Sequence, residues 1–348
     1  SLFSGFSMNK IKDVDAFLMF DYKEFHPTLF FNFYWATRHT KQSFDYLNIN
    51  DELVSNIDIS NDVNYQLFSS DLGIKVPIKD YKTWFSYSYT NYKENIFQIA
   101  SQEFISDGEE QIITTFGKLG FDYYRGHVFS FKAQKKVIKP HFLSDMLTNK
   151  GYLLDLKISY ELNNFMDGFS LNEDYGTYGA TFAPNNTWRF EIDYFYYNNY
   201  KKSIFIENST KIHFISNEKV DDFFYFFGGG MPGIKGYTFY DQSLTGSGIF
   251  INSTYLRTLL INSRYFSIKD FVGLNKLALG AVFQYGNAYN GNITNLYLDT
   301  KHSFGLELRA KGFIFYGYPV ALTLEHHIPL MDINEKKGKT YFKLLFDF

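Results

Sequence analysis

Residues 228–257 read GGGMPGIKGYTFYDQSLTGSGIFINSTYLR, and this stretch decides the reading of the whole chain. Gly228, Gly229 and Gly230 close an aromatic-rich segment, and Ile234, Lys235, Gly236 and Tyr237 then sit in a loop rich in Gly, Asp and Thr. A second strand-like segment follows and carries Arg257. Downstream, apolar residues recur at every second position. Leu277, Leu279, Ala281, Phe283 and Tyr285 form one file, and Phe304, Leu306, Leu308 and Ala310 oppose Glu307, Arg309 and Lys311. Val320, Leu322 and Leu324 oppose Thr323 and Glu325, and Phe342, Leu344, Phe346 and Phe348 oppose Tyr341, Lys343 and Asp347. A period of two over such lengths predicts β-strands.

The same period runs upstream. Trp188, Phe190, Ile192, Tyr194 and Tyr196 alternate with Arg189, Glu191 and Asp193, and Leu154, Leu156, Ile158, Tyr160 and Leu162 alternate with Asp155, Lys157, Ser159 and Glu161. Leu119, Phe121 and Tyr123 give another strand, and Phe85, Tyr87 and Tyr89 one more. Near the start, Val14 to Tyr22 and Leu29 to Trp35 read as a hairpin with Pro27 confined to its turn. Two stretches are less regular. Apolar parity flips between Leu67 and Leu72, which predicts a bulge or a short break at Ser69–Ser70. Residues 127–150, with Lys132, Lys135, Lys136 and Pro140, read mostly as loop.

Composition narrows the class. Among 348 residues, 40 are Phe and 29 are Tyr, far more aromatic surface than a water-soluble core requires. No apolar run approaches the roughly 18–20 residues that a spanning helix needs, which excludes a helical membrane protein. The mean hydropathy of -0.24 leaves a β-barrel open, because its strands bury every second residue in lipid and keep a polar lumen. A net charge of -3 argues against a nucleic-acid partner, and the absence of cysteine excludes disulfide and thiolate chemistry. The chain opens on Ser1 without a signal sequence, so it is expected to be a mature chain or a fragment.

A water-soluble sandwich also alternates. Here the polar face carries full charges at consecutive positions, strand after strand, as a wet lumen allows. The expected fold is all-β: a transmembrane antiparallel up-and-down barrel forming a single domain over residues 1–348. Sixteen strands allow about 22 residues each with connections, enough for a tilted span. Trp35, Tyr87, Trp188, Tyr194 and Tyr196 are expected to divide between the interfacial girdles and the lipid face.

The order of these features resembles a known family. An Ile-Lys-Gly-Tyr loop, an Arg-bearing strand, a strand ending in Gly286-Asn287, the Gly305 to Arg309 strand (GLELR), Ile328-Pro329-Leu330 and a C-terminal Phe follow one another. This is similar to the barrel of the BamA-type outer-membrane assembly and translocation superfamily (bacterial surface antigen family), specifically over residues 222–348. The resemblance implies a sixteen-stranded barrel with a long loop folded into the lumen and tipped by a Val/Leu-Arg-Gly-Phe/Tyr motif. Gly236 and Tyr237 match that motif, whereas Lys235 replaces its arginine. The family's arginine meets an acidic residue whose counterpart here is Gln284, so the resemblance implies a Lys235–Gln284 contact, a neutral carbonyl in place of a carboxylate, and a weaker lock. Arg257 is a second candidate partner. Phe342, Leu344, Phe346 and Phe348 resemble the C-terminal signal read by the outer-membrane insertion machinery.

Other motifs read more plainly as structure. His326 and His327 point to opposite faces of a strand and cannot converge with Glu325 on one metal ion. Asp107-Gly-Glu-Glu110 is a solvated acidic turn, and Gly228–Gly230 lacks the helix and Lys-Ser/Thr of a phosphate loop. No catalytic, metal or cofactor site is expected, and no enzymatic activity. The resemblance implies a protein that inserts or translocates polypeptides at an outer membrane, bacterial rather than organellar, through a seam between its first strand (about 13–23) and its last (about 339–348). Its partners would be outer-membrane lipid and client polypeptides, or periplasmic and lipoprotein subunits; any periplasmic module would precede residue 1. A membrane-anchoring scaffold and a diffusive pore are the alternatives.

Overall fold

The computed structural model describes residues 1–8, 13–44, 47–49, 52–54, 57–106, 109–141, 144–172, 177–200, 203–217, 224–261, 266–268, 272–291, 293–297, 299–314, 318–330 and 338–346. Fourteen strands carry the architecture: β1 (Leu2–Met8), β2 (Val14–Tyr22), β3 (Thr28–Phe44), β4 (Ile57–Ile78), β5 (Tyr81–Ser106), β6 (Glu109–His141) and β7 (Ser144–Asn172), then β8 (Thr177–Asn199), β9 (Ile204–Ile215), β10 (Gly248–Ile261), β11 (Val272–Tyr289), β12 (Lys301–Ile314), β13 (Tyr318–Pro329) and β14 (Lys339–Phe346). Each hydrogen-bonds to the next in chain order. Every one of these neighbouring pairs whose register is described is antiparallel, as short connections between consecutive strands require. The path holds fourteen strands among the described residues, against the sixteen that the resemblance implies. No described helix is long and apolar enough to cross a membrane.

The strands distribute over two compact units. The first comprises Ser1–Val76, Trp84–Ser130 and Tyr160–Asn186. Its hairpin β2–β3 pairs Asp15 with Ala36 through Tyr22 with Leu29, as the alternation predicts. β1 precedes this hairpin and pairs with β2 along its length, so the chain starts one strand earlier than expected. Ser4, Gly5 and Ser7 between Phe3, Phe6 and Met8 dilute the apolar pattern of that strand. The β3–β4 ladder runs unbroken from Thr28↔Lys75 to Phe44↔Ile59, so there is no bulge at Ser69–Ser70. The parity change reflects apolar residues on both faces: Val63 is buried and Leu72 is exposed. Inside this unit the buried Tyr124 hydroxyl donates to Asn163 Oδ1 at 2.6 Å, and Asn163 Nδ2 donates to Glu161 Oε2 at 3.3 Å.

The second unit comprises Pro77–Thr83, Phe131–Ser159 and Thr187–Phe348. The stretch 127–150, expected to be mostly loop, is strand in β6 and β7 apart from residues 142–143, which lie outside the described set. Lys135 in this stretch is a partnered strand residue: its Nζ lies 3.5 Å from Asp80 Oδ2 and 5.0 Å from the Tyr81 ring centroid. Long lysine stems lie readily along such a surface.

Burial in the second unit is inverted relative to a soluble protein. Leu279, Phe283, Phe304, Leu306, Leu308, Leu324, Ile328, Phe342 and Leu344 are exposed, while Arg257, Gln284, Ser303, Glu307, Glu325 and His327 are buried. Both sets follow from the same pleat, since successive residues of a strand face opposite sides. A strand layer that shows water its leucines and hides its carboxylates is built for lipid on one side and polar contacts on the other. Trp188 and Tyr196 are likewise exposed, as is Tyr87 within the first unit.

Candidate functional site: a loop tip docked on the polar face

Between β9 and β10 the chain leaves the sheet and returns over its polar face. A two-residue ladder, Phe226–Phe227 with Thr245–Gly246, closes the base of this loop, and a parallel bridge joins Gly229 to Ile234. Ile234, Tyr237 and Leu244 pack with Ile249 and Ile251 into a small buried apolar cluster. Lys211 Nζ donates to the Pro232 carbonyl at 2.9 Å, a further tie from β9.

The motif is held by residues of five different strands. Lys235 is buried, and its ammonium donates to Glu325 Oε2 on β13 and to the Tyr255 hydroxyl on β10 at 3.3 Å. Its backbone N–H donates to Gln284 Oε1 on β11 at 2.9 Å. Gln284 in turn donates through Nε2 to the Gly233 carbonyl at 3.2 Å and to Ser253 Oγ at 2.8 Å. Gly236 N–H donates to Tyr341 Oη on β14 at 2.9 Å. Tyr237, fully buried, donates its hydroxyl to the His302 carbonyl of β12 at 3.1 Å. Gly236 adopts φ +98, and a Cβ there would lie 3.3 Å from Pro329, so conformation and space both call for glycine.

Gln284 therefore meets the loop, but through its backbone. The charge goes elsewhere, and the expected neutral partner is corrected: a buried carboxylate holds Lys235, and it stands on β13 rather than β11. Physically this is the stable allocation, since an amide satisfies backbone N–H and C=O groups while a buried ammonium needs a counter-charge. Glu325 is further bound by His327 Nε2 at 3.0 Å and approached by Lys343 Nζ at 3.8 Å. His327 faces the loop and His326 faces out, as strand alternation dictates.

Arg257 does not touch the motif. It sits in a neighbouring ionic cluster, donating to Glu207 of β9 through Nη1 and to Glu307 of β12 through Nε at 2.5 Å, with Arg309 Nε donating to Glu307 Oε1 at 2.7 Å. Tyr255 links the two clusters, with its ring centroid 4.2 Å from the Arg257 guanidinium carbon and 5.5 Å from Lys235 Nζ. Glu325, Tyr341, Glu207 and Glu307 were not singled out from sequence as partners. Alternation puts Glu325, Tyr341 and Glu307 on a polar face, whereas Glu207 lies in a segment for which no strand is read; which of them a distant loop reaches is not legible in the residues.

Of the C-terminal set, Phe342 and Leu344 lie on the exposed apolar face of β14, and Phe346 ends that strand. Phe348 and the turn residues Asp107 and Gly108 lie outside the described residues. Among the described residues no group of His, Asp and Glu is arranged to hold a metal ion.

No family model matches the sequence, and no curated protein matches it. Solved structures do. BamA from Haemophilus ducreyi lacking POTRA domains 1–3 aligns over 99% of this chain and 69% of that one, at 10% identity and a TM-score of 0.50. CdiB from Escherichia coli aligns over 99% of this chain and 61% of that one, at 10% identity and a TM-score of 0.41. With its alternating strands, inverted burial and loop docked on the polar face, the chain has the fold of the BamA barrel, an all-β transmembrane barrel.

Proposed function

We propose that this chain is a divergent BamA-type barrel of a bacterial outer membrane that inserts or translocates polypeptides. The observation that carries the reading is the loop tip: Ile234 to Tyr237 are pinned to the polar face through Glu325, Gln284, Tyr341 and the His302 carbonyl, on a fold shared with BamA. Residues 1–348 would act as one barrel domain, without cofactor or covalent chemistry. β1 and β14 stand at the two ends of the hydrogen-bonded order. A lateral seam would use these ends, offering unpaired backbone N–H and C=O groups to a client strand by β-augmentation. Phe342, Leu344, Phe346 and Phe348 would carry the C-terminal insertion signal. Outer-membrane lipid and client polypeptides, or periplasmic and lipoprotein subunits, are the partners this reading calls for.

The test is depletion of the protein in its own organism with quantification of the outer-membrane proteome. A broad fall in other barrels, with unfolded forms accumulating in the periplasm, supports insertion, and loss of one exported protein supports a dedicated translocator. If a single bound partner disappears while all other barrels stay at normal levels, the protein is an anchor and the proposal fails.

A further inference from the structure

The loop tip and the last strand hold one another. Gly236 N–H reaches Tyr341 Oη across 105 positions of sequence. Glu325, which takes the Lys235 ammonium, is also approached by Lys343 of β14 at 3.8 Å. His327 sits edge-on to the Tyr341 ring with centroids 5.9 Å apart, and its own Nε2 meets Glu325 at 3.0 Å. β14 is only 8 residues long and ends the hydrogen-bonded order, with β13 as its neighbour. Its opposite face, Phe342 and Leu344, is exposed. A short strand with one ladder among the described residues therefore gains a second set of attachments, all on its polar face and all leading to the loop tip.

We propose that the loop tip is a clasp on β14, with Tyr341 as the positioning residue through which tip docking sets how firmly that strand is held. Displacing β14 frees the tip, and undocking the tip loosens β14. The two effects are equal in magnitude, because a coupling free energy between two sites is reciprocal. Glu325 alone would tie the tip only to β13; Tyr341 and Lys343 bring the last strand into the same contact. The inference deepens the insertion reading, on which its biological meaning rests: a client strand added at β14 would be sensed at the loop.

Backbone hydrogen exchange of the full chain in lipid nanodiscs, without client, tests the clasp. Tyr341→Phe removes one oxygen and keeps the ring. It is expected to speed exchange at residues 233–238 about fivefold, the effect of losing one net hydrogen bond. Lys235→Met is expected to speed exchange across 339–346, and Gln284→Ala, which releases the tip without touching Glu325, serves if that variant fails to fold. Leu279→Ala, on the opposite face of β11, is expected to change neither segment. Exchange that rises only in the mutated segment overturns the clasp. Uncoupled segments in a protein whose depletion still lowers other barrels overturn the clasp alone. Coupled segments in a protein whose depletion lowers nothing overturn the insertion reading alone.

Discussion

Lys235 gives its ammonium to Glu325, 90 positions further along the chain, and both side chains are almost entirely hidden from solvent. A loop residue and a strand residue that far apart form a buried ion pair only if the loop folds back over the sheet. Burying two charges is costly, and the cost is offset here by the hydrogen bond that Lys235 gives the Tyr255 hydroxyl and the one that joins His327 to Glu325.

Removing one partner leaves the other charge stranded. Glu325→Gln is expected to weaken tip docking by about 3–5 kcal/mol, the usual cost of an uncompensated buried charge. Limited proteolysis of the 228–247 loop should accelerate accordingly. The double variant Lys235→Met with Glu325→Met should recover most of that loss, and a double variant as labile as the single one would show that the pair is not the lock.

Gln284 acts through both ends of its amide. Gln284→Glu keeps an acceptor for Lys235 N–H but leaves the Gly233 carbonyl and Ser253 Oγ without their donor. A loss of about 1–3 kcal/mol in thermal unfolding is expected, as for buried polar groups left unpaired. Unchanged stability would mean that the Gln284 amide adds nothing to the hold of Tyr341 and the apolar cluster on the tip.

The Arg257 cluster is a separate support. Arg257→Met takes the shared cation from between Glu207 of β9 and Glu307 of β12, leaving Glu307 with Arg309 alone, and destabilisation of up to about 3–5 kcal/mol is expected with the loop still protected from protease. A loop freed by this substitution would show that the two clusters act as one through Tyr255.

In the proposed function the exposed apolar file faces lipid. Phe342→Lys is expected to cost up to about 2–4 kcal/mol in folding into liposomes, with the larger values near mid-bilayer. Tyr341→Phe, on the other face of the same strand, should leave insertion into liposomes unchanged. Equal effects of the two would argue against the assignment of faces.

Gly305 has a specific tenant. A Cβ at this position would lie 2.6 Å from Nδ1 of the buried His327 imidazole, its cross-strand partner. Gly305→Ala is therefore expected to push His327 off Glu325, destabilising by about 1–3 kcal/mol, the range for overpacking. A chemical shift change at His327 in a labelled sample would report it, and an unmoved imidazole would contradict the packing argument.

Much of this was legible in the residues. Alternation from Trp188 to Tyr196 and from Phe304 to Lys311 marks strands because side-chain period is a local property. The register of the loop is not local. Nothing in Ile234–Tyr237 says whether Lys235 reaches β11 or β13, since the two differ only in how far the loop travels across the sheet. β1 escaped notice for a different reason: Ser and Gly between its aromatics erase the pattern that its pairing with β2 makes unnecessary. Lys135 of β6 disguises a strand because charge on a sheet surface, once partnered by Asp80 and Tyr81, costs little.

The attachment of Gly236 to Tyr341 also bears on the order of events during biogenesis. The tip lies 105 positions before its final contact, so a chain emerging from the N-terminus carries the loop long before it has anywhere to seat it. The contact with Tyr341 becomes possible only when β14 is made. The complete set of tip contacts thus records that synthesis has passed β14.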